Sequence, residues 1–400
     1  MQAPVKPADG ATPEPVTAPV VTSRRAPRGR AANARPVGRS RSVTPVLVRQ
    51  LRNGIEESVH RGDIVEVDID GRIVRVVGDP ERVVTLRSAV KPFGAVALLD
   101  AGGLEAFDLS PAELAIMAGS HSGEDVHVRT LQAVFRRAGV RQSYLATGTV
   151  DMPLDKLTAA RLARDGEAPG EIRHMCSGQH AVFILLSRLR GWDPGDYWRP
   201  EHPSQVAYRS AVARAFGTEP RRLRTATDNC GIETFAFPLR EVARAYAMLA
   251  DPAAIAGNDS RSALALQLTV VRDAMAANPE MVGGTHDRVD TSLMKTLPGR
   301  VISKAGAEGL RAVAILPAAR SGASRSAATG LALTIEDGDG FGRASGSASI
   351  EALHQAGIVD DRALRELARY HRPPATDPRG HVIGEAVPDF DLAPVGELIS

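Results

Sequence analysis

The sequence predicts an α+β protein in which one antiparallel sheet, assembled from strands near both ends of the chain, carries an inserted helical lobe. Three observations point there. Apolar residues alternate with period two over 63–77, a helical period dominates from about 153 to 277, and period two returns after Lys295. Strands so far apart in sequence would each leave unpaired edges, and joining them into one sheet buries both sets.

In chain order, residues 1–42 hold Lys6 and seven arginines against Asp9 and Glu14, among many prolines and alanines. With almost no large apolar residues this stretch cannot offset its ordering entropy, and it reads as a disordered basic tail. Folded structure is expected over 43–400, with a sheet lobe at about 45–100 and 296–400 and a helical lobe at about 101–295. Asp63–Asp68 and Arg72–Val77 alternate around Asp70-Gly71, the signature of a hairpin. A helix should begin close to Ser88, because Pro92 is tolerated only in a first turn, and should run to Leu99. Ser110-Pro111-Ala112-Glu113 combines an N-cap serine, a proline and a glutamate three residues on, predicting a helix that reaches Met117. The small, polar stretch 119–125 interrupts the pattern before a helix over 126–135. Further helices are expected to begin near Pro153, Gln179, Pro203, Pro238 and Ser260, the one at Pro203 stopping at Gly217. Strands are expected at 300–303, 309–316 and 330–335, then a turn at Glu336-Asp337-Gly338 and a helical stretch over 343–370 to cover one sheet face. The final thirty residues, broken by proline and glycine, show no clear pattern.

The totals exclude several classes. A 43% hydrophobic and 24% charged composition is that of a soluble globular protein. The net charge of +2 combines a tail near +6 with a remainder near −4, so the folded part offers no electrostatic reason to bind nucleic acid. No apolar run approaches bilayer-spanning length, and nothing resembles a signal peptide, so no membrane partner is expected. Two cysteines, Cys176 and Cys230, argue against a disulfide scaffold and for a cytoplasmic protein.

Candidate chemistry gathers at three places. Ser88 and Lys91 stand three residues apart on one face of the expected helix, as an activated serine requires. Ser120-His121-Ser122 lies in the non-periodic loop, and Lys304-Ala305-Gly306 ends an expected strand. Ser-x-x-Lys, Ser-x-polar and Lys-x-Gly in that order form the layout of serine hydrolases related to penicillin-binding proteins and β-lactamases.

Five longer stretches extend the likeness: Leu86–Pro92, Ala118–Glu124, Cys176–Ala181, Thr227–Gly231 and Asn278–Val282. Together they resemble the rhizobial-type (class 3) L-asparaginases, over about Leu47 to Ile335. The resemblance implies an L-asparagine amidohydrolase on a serine β-lactamase-like fold, forming a homodimer. It implies Ser88 as nucleophile with Lys91 as its base, and Ser120 with Lys304 as a second Ser-Lys pair. A lysine can serve as base near neutral pH only if burial or a nearby cation lowers its pKa, and two converging lysines supply each other with that cation. His121, His180 and Asp228 flank the motifs and are candidates to contact the substrate's α-amino or α-carboxylate group.

The resemblance also implies a zinc site built from two cysteines and a lysine, at Cys176, position 179 and Cys230. Position 179 is Gln here, a neutral amide and a poor zinc ligand. Two readings stand: zinc completed by His180 or Asp228, or a pair of free thiols, which Gln179 favours; the serine-lysine chemistry itself requires no cofactor. Other functions compatible with the sequence are hydrolysis of another amide, glutamine or a β-lactam, and amino-acid binding without catalysis.

Overall fold

In the computed structural model the residues described are 43–149, 153–255, 257, 259–317, 319–320 and 327–395. The basic tail expected at 1–42 lies outside them. Residues from Thr44 onward form one compact unit.

Eleven strands are present among the described residues: β1 (Val46–Arg52), β2 (Ile55–Asp68), β3 (Ile73–Val77), β4 (Val83–Thr85), β5 (Arg224–Thr227), β6 (Glu233–Pro238), β7 (Val301–Ala305), β8 (Arg311–Ile315), β9 (Thr329–Ile335), β10 (Pro374–Thr376) and β11 (Val382–Pro388). Eight make the main sheet in the order β10-β11-β1-β2-β9-β8-β7, with β3 also on β2. The early hairpin therefore joins the late strands, as expected: Ile64 of β2 faces Leu333 of β9, and Val65 faces Ala332, in antiparallel register.

Alternation along these strands sorts their side chains to two faces. Val65, Val67, Ile302, Ala312, Ala314 and Ala332 join the core of the helical lobe. Ile64, Val313, Ile315, Leu331, Leu333 and Ile335 join a second core under the C-terminal helices Ser345–Gln355 and Asp361–Glu366. The sheet is thus a middle layer. The stretch 343–370 covers one face as expected, and the helix Leu239–Ala250 lies on the other against β9.

Several predictions from local chemistry hold in detail. Ser110 caps the helix Pro111–Met117 with a full capping box to Glu113, the helix from Pro203 ends at Ala215, and Gly217 turns at φ +60°. Other features differ from expectation. The stretch 153–277 is not all helical: β5 and β6 interrupt it and pair with β4 as a separate sheet in the order β4-β6-β5. Leu223-Arg224-Thr225-Ala226-Thr227 is short and mixed, so its strand identity comes from pairing with β6 and not from its own pattern. The uninformative end of the chain supplies β11, whose partner β1 lies more than 300 residues earlier. The helix expected from Ser88 begins as a 3₁₀ turn, Arg87–Val90, then continues as Lys91–Gly94 and Val96–Asp100.

Among the described residues no helix is long and apolar enough to cross a membrane.

Candidate active site

Ser88 owes its position to the small sheet. The Leu86 N–H donates to the Phe235 carbonyl (2.8 Å), and the Arg87 N–H donates to the Thr234 hydroxyl (2.9 Å). Arg87 itself has φ +47°, a left-handed conformation that costs an L-residue about 1–2 kcal/mol. Its guanidinium is anchored by Asp228 at 2.9 Å, so three contacts from β6 and the β5–β6 turn hold the strained residue that introduces the serine. Leu86 is also approached from the sheet. A Cβ at Gly306, just after β7, would stand 2.9 Å from the Leu86 carbonyl oxygen, which explains glycine in Lys304-Ala305-Gly306.

The Lys91 N–H donates to the Ser88 carbonyl, the i+3 bond of a 3₁₀ turn in which side chains three apart eclipse. Ser88 and Lys91 therefore share a face, and both are buried. The Lys91 amine, however, donates to the Ser120 hydroxyl (3.0 Å) and to the Met175 carbonyl (3.3 Å). Lys304 reaches the same hydroxyl from β7 at 2.9 Å, and also donates to the Ala305 carbonyl (2.6 Å). The two expected pairs are joined: Ser120 sits between both lysines.

Ser120 is held by the turn around Asn278–Val282. Its N–H donates to the Val282 carbonyl (2.8 Å), and a Cβ at Gly119 would stand 2.6 Å from the Met281 carbonyl oxygen. Small residues in this loop permit that backbone contact.

Burial is the largest influence on Lys304 and brings its pKa down to about 7; Asp290 opposes this, while Lys91 and Arg288 add to it. Mutual repulsion between the lysines, the cause expected from sequence, is the smaller effect. Asp290 accepts from the Ser303 hydroxyl (2.7 Å), the Ala305 N–H (3.0 Å) and Arg311 (2.9 Å), and carries a lowered pKa despite burial. A base that is half neutral near pH 7 is what proton abstraction from a hydroxyl needs.

The residues predicted to touch substrate are engaged by the protein. His121 is buried: its Nε2 meets the Ser177 hydroxyl (2.9 Å), its Nδ1 accepts from the Gly123 N–H (3.2 Å), and its ring stacks on His127. Burial holds it neutral, well below the usual histidine range. His180 is also buried, and burial takes its pKa down to about 3. Its Nδ1 lies 2.5 Å from the Tyr197 hydroxyl, whereas its Nε2 has no partner. Asp228 is the acceptor for Arg87.

At the proposed zinc position, both cysteines are free and buried and their thiols lie against one another. That contact, aided by Lys91 and His174, lowers Cys176 well below the usual thiol pKa, and the same contact together with burial raises Cys230. Gln179 does not join them. Its amide donates to the Tyr208 hydroxyl (3.2 Å), itself buried. Among the described residues, the His, Cys, Asp and Glu side chains whose ligand atoms all fall within 4.8 Å of one another are Glu124, Asp155 and His286, a group without a cysteine. Neither His180 nor Asp228 closes a tetrahedral set with the two sulfurs, so these residues do not fit zinc.

Sequence reasoning missed Arg87, Asp290 and Arg288. Arg87 directly precedes the serine. Arg288 and Asp290 follow the Asn278–Val282 motif, and both lie in one stretch that folds back on Ser120 and Lys304.

A buried serine thus takes hydrogen bonds from two buried lysines, one from the helix after Ser88 and one from β7, and comparison with known families gives the family of the chain. A family model described as L-asparaginase II matches residues 48–388. The chain belongs to that family. A search of curated proteins returned no match. Among solved structures, the chain is similar to Mglu in its native form in 4.3 M NaCl, at 14% identity and a TM-score of 0.33, covering 76% of this chain and 63% of that one. It is likewise similar to a probable glutaminase from Bacillus subtilis complexed with 6-diazo-5-oxo-L-norleucine, at 12% identity and a TM-score of 0.35, covering 75% and 85%. The chain thus spans less than two thirds of the Mglu chain, and likenesses at these TM-scores bear on no feature of the site.

Proposed function

We propose that this protein hydrolyses the side-chain amide of L-asparagine, releasing ammonia and L-aspartate, through a serine activated by lysine. The observation that carries this reading is the Ser120 hydroxyl within 3.0 Å of both buried lysines. Ser88 attacks the amide carbonyl, and its hydroxyl proton passes to Lys91, one helical step away. Lys91, Ser120 and Lys304 form a continuous path along which that proton moves to the amine of Lys304, whose pKa of about 7 lets it accept. The same path returns the proton to the departing ammonia. Water then takes the place of the amine and hydrolyses the acyl-serine by the reverse transfer.

One observation favours a second assignment of roles. Ser120, not Ser88, carries both lysine contacts, which makes Ser120 a competing nucleophile with Ser88 as a donor to the substrate. A diazoketone analogue of asparagine settles the roles, because it alkylates the nucleophile. Peptide mapping by mass spectrometry is expected to find the label on Ser88; a label on Ser120 exchanges the two serines, and labelling of neither rejects the mechanism.

Asparagine and glutamine differ by one methylene, worth only about 1–3 kcal/mol in a pocket. Ammonia release measured on both substrates tests the substrate, with the larger kcat/KM expected for L-asparagine.

A further inference from the structure

The wall around Ser120 carries more positive charge than it neutralises. Lys91 and Lys304 bond to one side of the loop, and Arg288 reaches the other: its Nη1 donates to the Ser122 hydroxyl (3.1 Å) and its Nη2 to the Ser120 carbonyl (2.9 Å). Burial lowers the pKa of Arg288 first of all; Arg311 adds to that, and Asp290 and Glu124 oppose it from a distance. Neither carboxylate forms an ion pair with it. Asp290 is occupied by Ser303, Ala305 and Arg311, while Glu124 accepts from the N–H and the hydroxyl of Thr285. The neighbouring His121 and His127 are kept neutral, chiefly by burial.

Two of the five N–H donors of this guanidinium are used, and both go to neutral oxygens. The remaining fork matches a carboxylate. Arg87, which directly precedes Ser88, is already committed to Asp228 at 2.9 Å. A half-buried arginine beside two lysines is stabilised by an anion, and among the described residues the protein supplies none at ion-pair distance.

We propose that Arg288 binds the α-carboxylate of the amino-acid substrate and selects amides that carry a free carboxylate over plain amides. The inference rests on the amide-hydrolase reading above. It separates two duties: the lysines act on the reacting amide, and Arg288 anchors the other end of the molecule while bracing the loop that holds Ser120.

The test compares L-asparagine with 3-aminopropanamide, which keeps the amide and the amine but lacks the α-carboxylate, in wild type, Arg288→Lys and Arg288→Met. For Arg288→Met, kcat/KM on L-asparagine is expected to fall about 100-fold, mostly through KM, while 3-aminopropanamide, which feels only the loosened Ser120 loop, loses at most about tenfold. Arg288→Lys should recover part of the loss, since charge returns without the fork. Equal losses on both substrates would mean that Arg288 only props the Ser120 loop, and an unchanged KM for L-asparagine would remove it from the site; either result overturns the proposal. If 3-aminopropanamide turns over too slowly to follow, calorimetry with L-asparagine in a Ser88→Ala background decides. Weakening of Kd by about 30-fold or more on adding Arg288→Met supports the anchor, and an unchanged Kd rejects it. A wild type that releases ammonia from neither asparagine nor glutamine instead rejects the underlying enzymatic reading, and the anchor falls with it.

Discussion

Two buried corners lie on either side of Lys91, and they handle their polar atoms differently. At Ser120 one hydroxyl receives both lysines, and Asp290 and Arg288 complete the surroundings. At Cys176 the thiols face each other, Gln179 has turned to Tyr208, and the Nε2 of His180 has no partner at all. Lys91 links the corners, since the amine that bonds Ser120 also donates to Met175, the residue before Cys176. The difference teaches that converging polar residues make a reactive centre only where their atoms are directed at each other. In the proposed mechanism the first corner is the proton path. In the second, the same density of polar groups is spent on separate contacts, and an orphaned buried nitrogen there costs about 1–3 kcal/mol.

Removing the proposed nucleophile should break the first corner most completely: Ser88→Ala is expected to lower kcat by at least about 10³-fold while the protein stays folded, checked by ammonia release and circular dichroism. A variant that keeps most of its kcat would exchange the roles of Ser88 and Ser120. Next in size, Lys304→Met should lower kcat by roughly 10²–10⁴-fold, the usual range for a positioned base.

The pH profile sharpens the same corner. In the proposed mechanism Lys304 acts as the neutral amine, and burial brings its pKa down to about 7, so kcat/KM should fall about tenfold per pH unit below that value and level off above it. A profile still rising through pH 9 would identify a base whose pKa burial has not lowered.

The second corner is tested by metal content. Protein purified without chelator is expected to contain zinc far below one per chain, and Gln179→Lys should raise it towards one, both read by elemental analysis. Stoichiometric zinc in the wild type would reverse the contrast between the corners.

The smallest effect belongs to neither corner. Ser110→Ala removes the N-cap of the helix Pro111–Met117 and should cost about 1 kcal/mol in chemical denaturation, with kcat unchanged.

What the chain alone determined is what neighbouring residues decide among themselves. Alternation around Asp70-Gly71 specified the β2–β3 hairpin, Ser110 and Glu113 specified a capped helix, and Pro92 placed the start of the helical stretch close to Ser88. The four motif residues Ser88, Lys91, Ser120 and Lys304 could be named because short fixed spacings and their order survive without coordinates. Tertiary structure decided the rest. β5 and β11 are strands because distant β6 and β1 offer them backbone partners, a requirement that no local pattern encodes. Sequence spacing pairs Lys91 with Ser88, yet the fold brings Ser120 within 3.0 Å, and Lys91 bonds there. Burial, a property of the whole packed protein, sets the pKa of Lys304 more than the second lysine does. Arg288 has no motif of its own; only the folding of its loop onto Ser120 and Ser122, with no carboxylate of the described residues at ion-pair distance, gives it a free fork of donors.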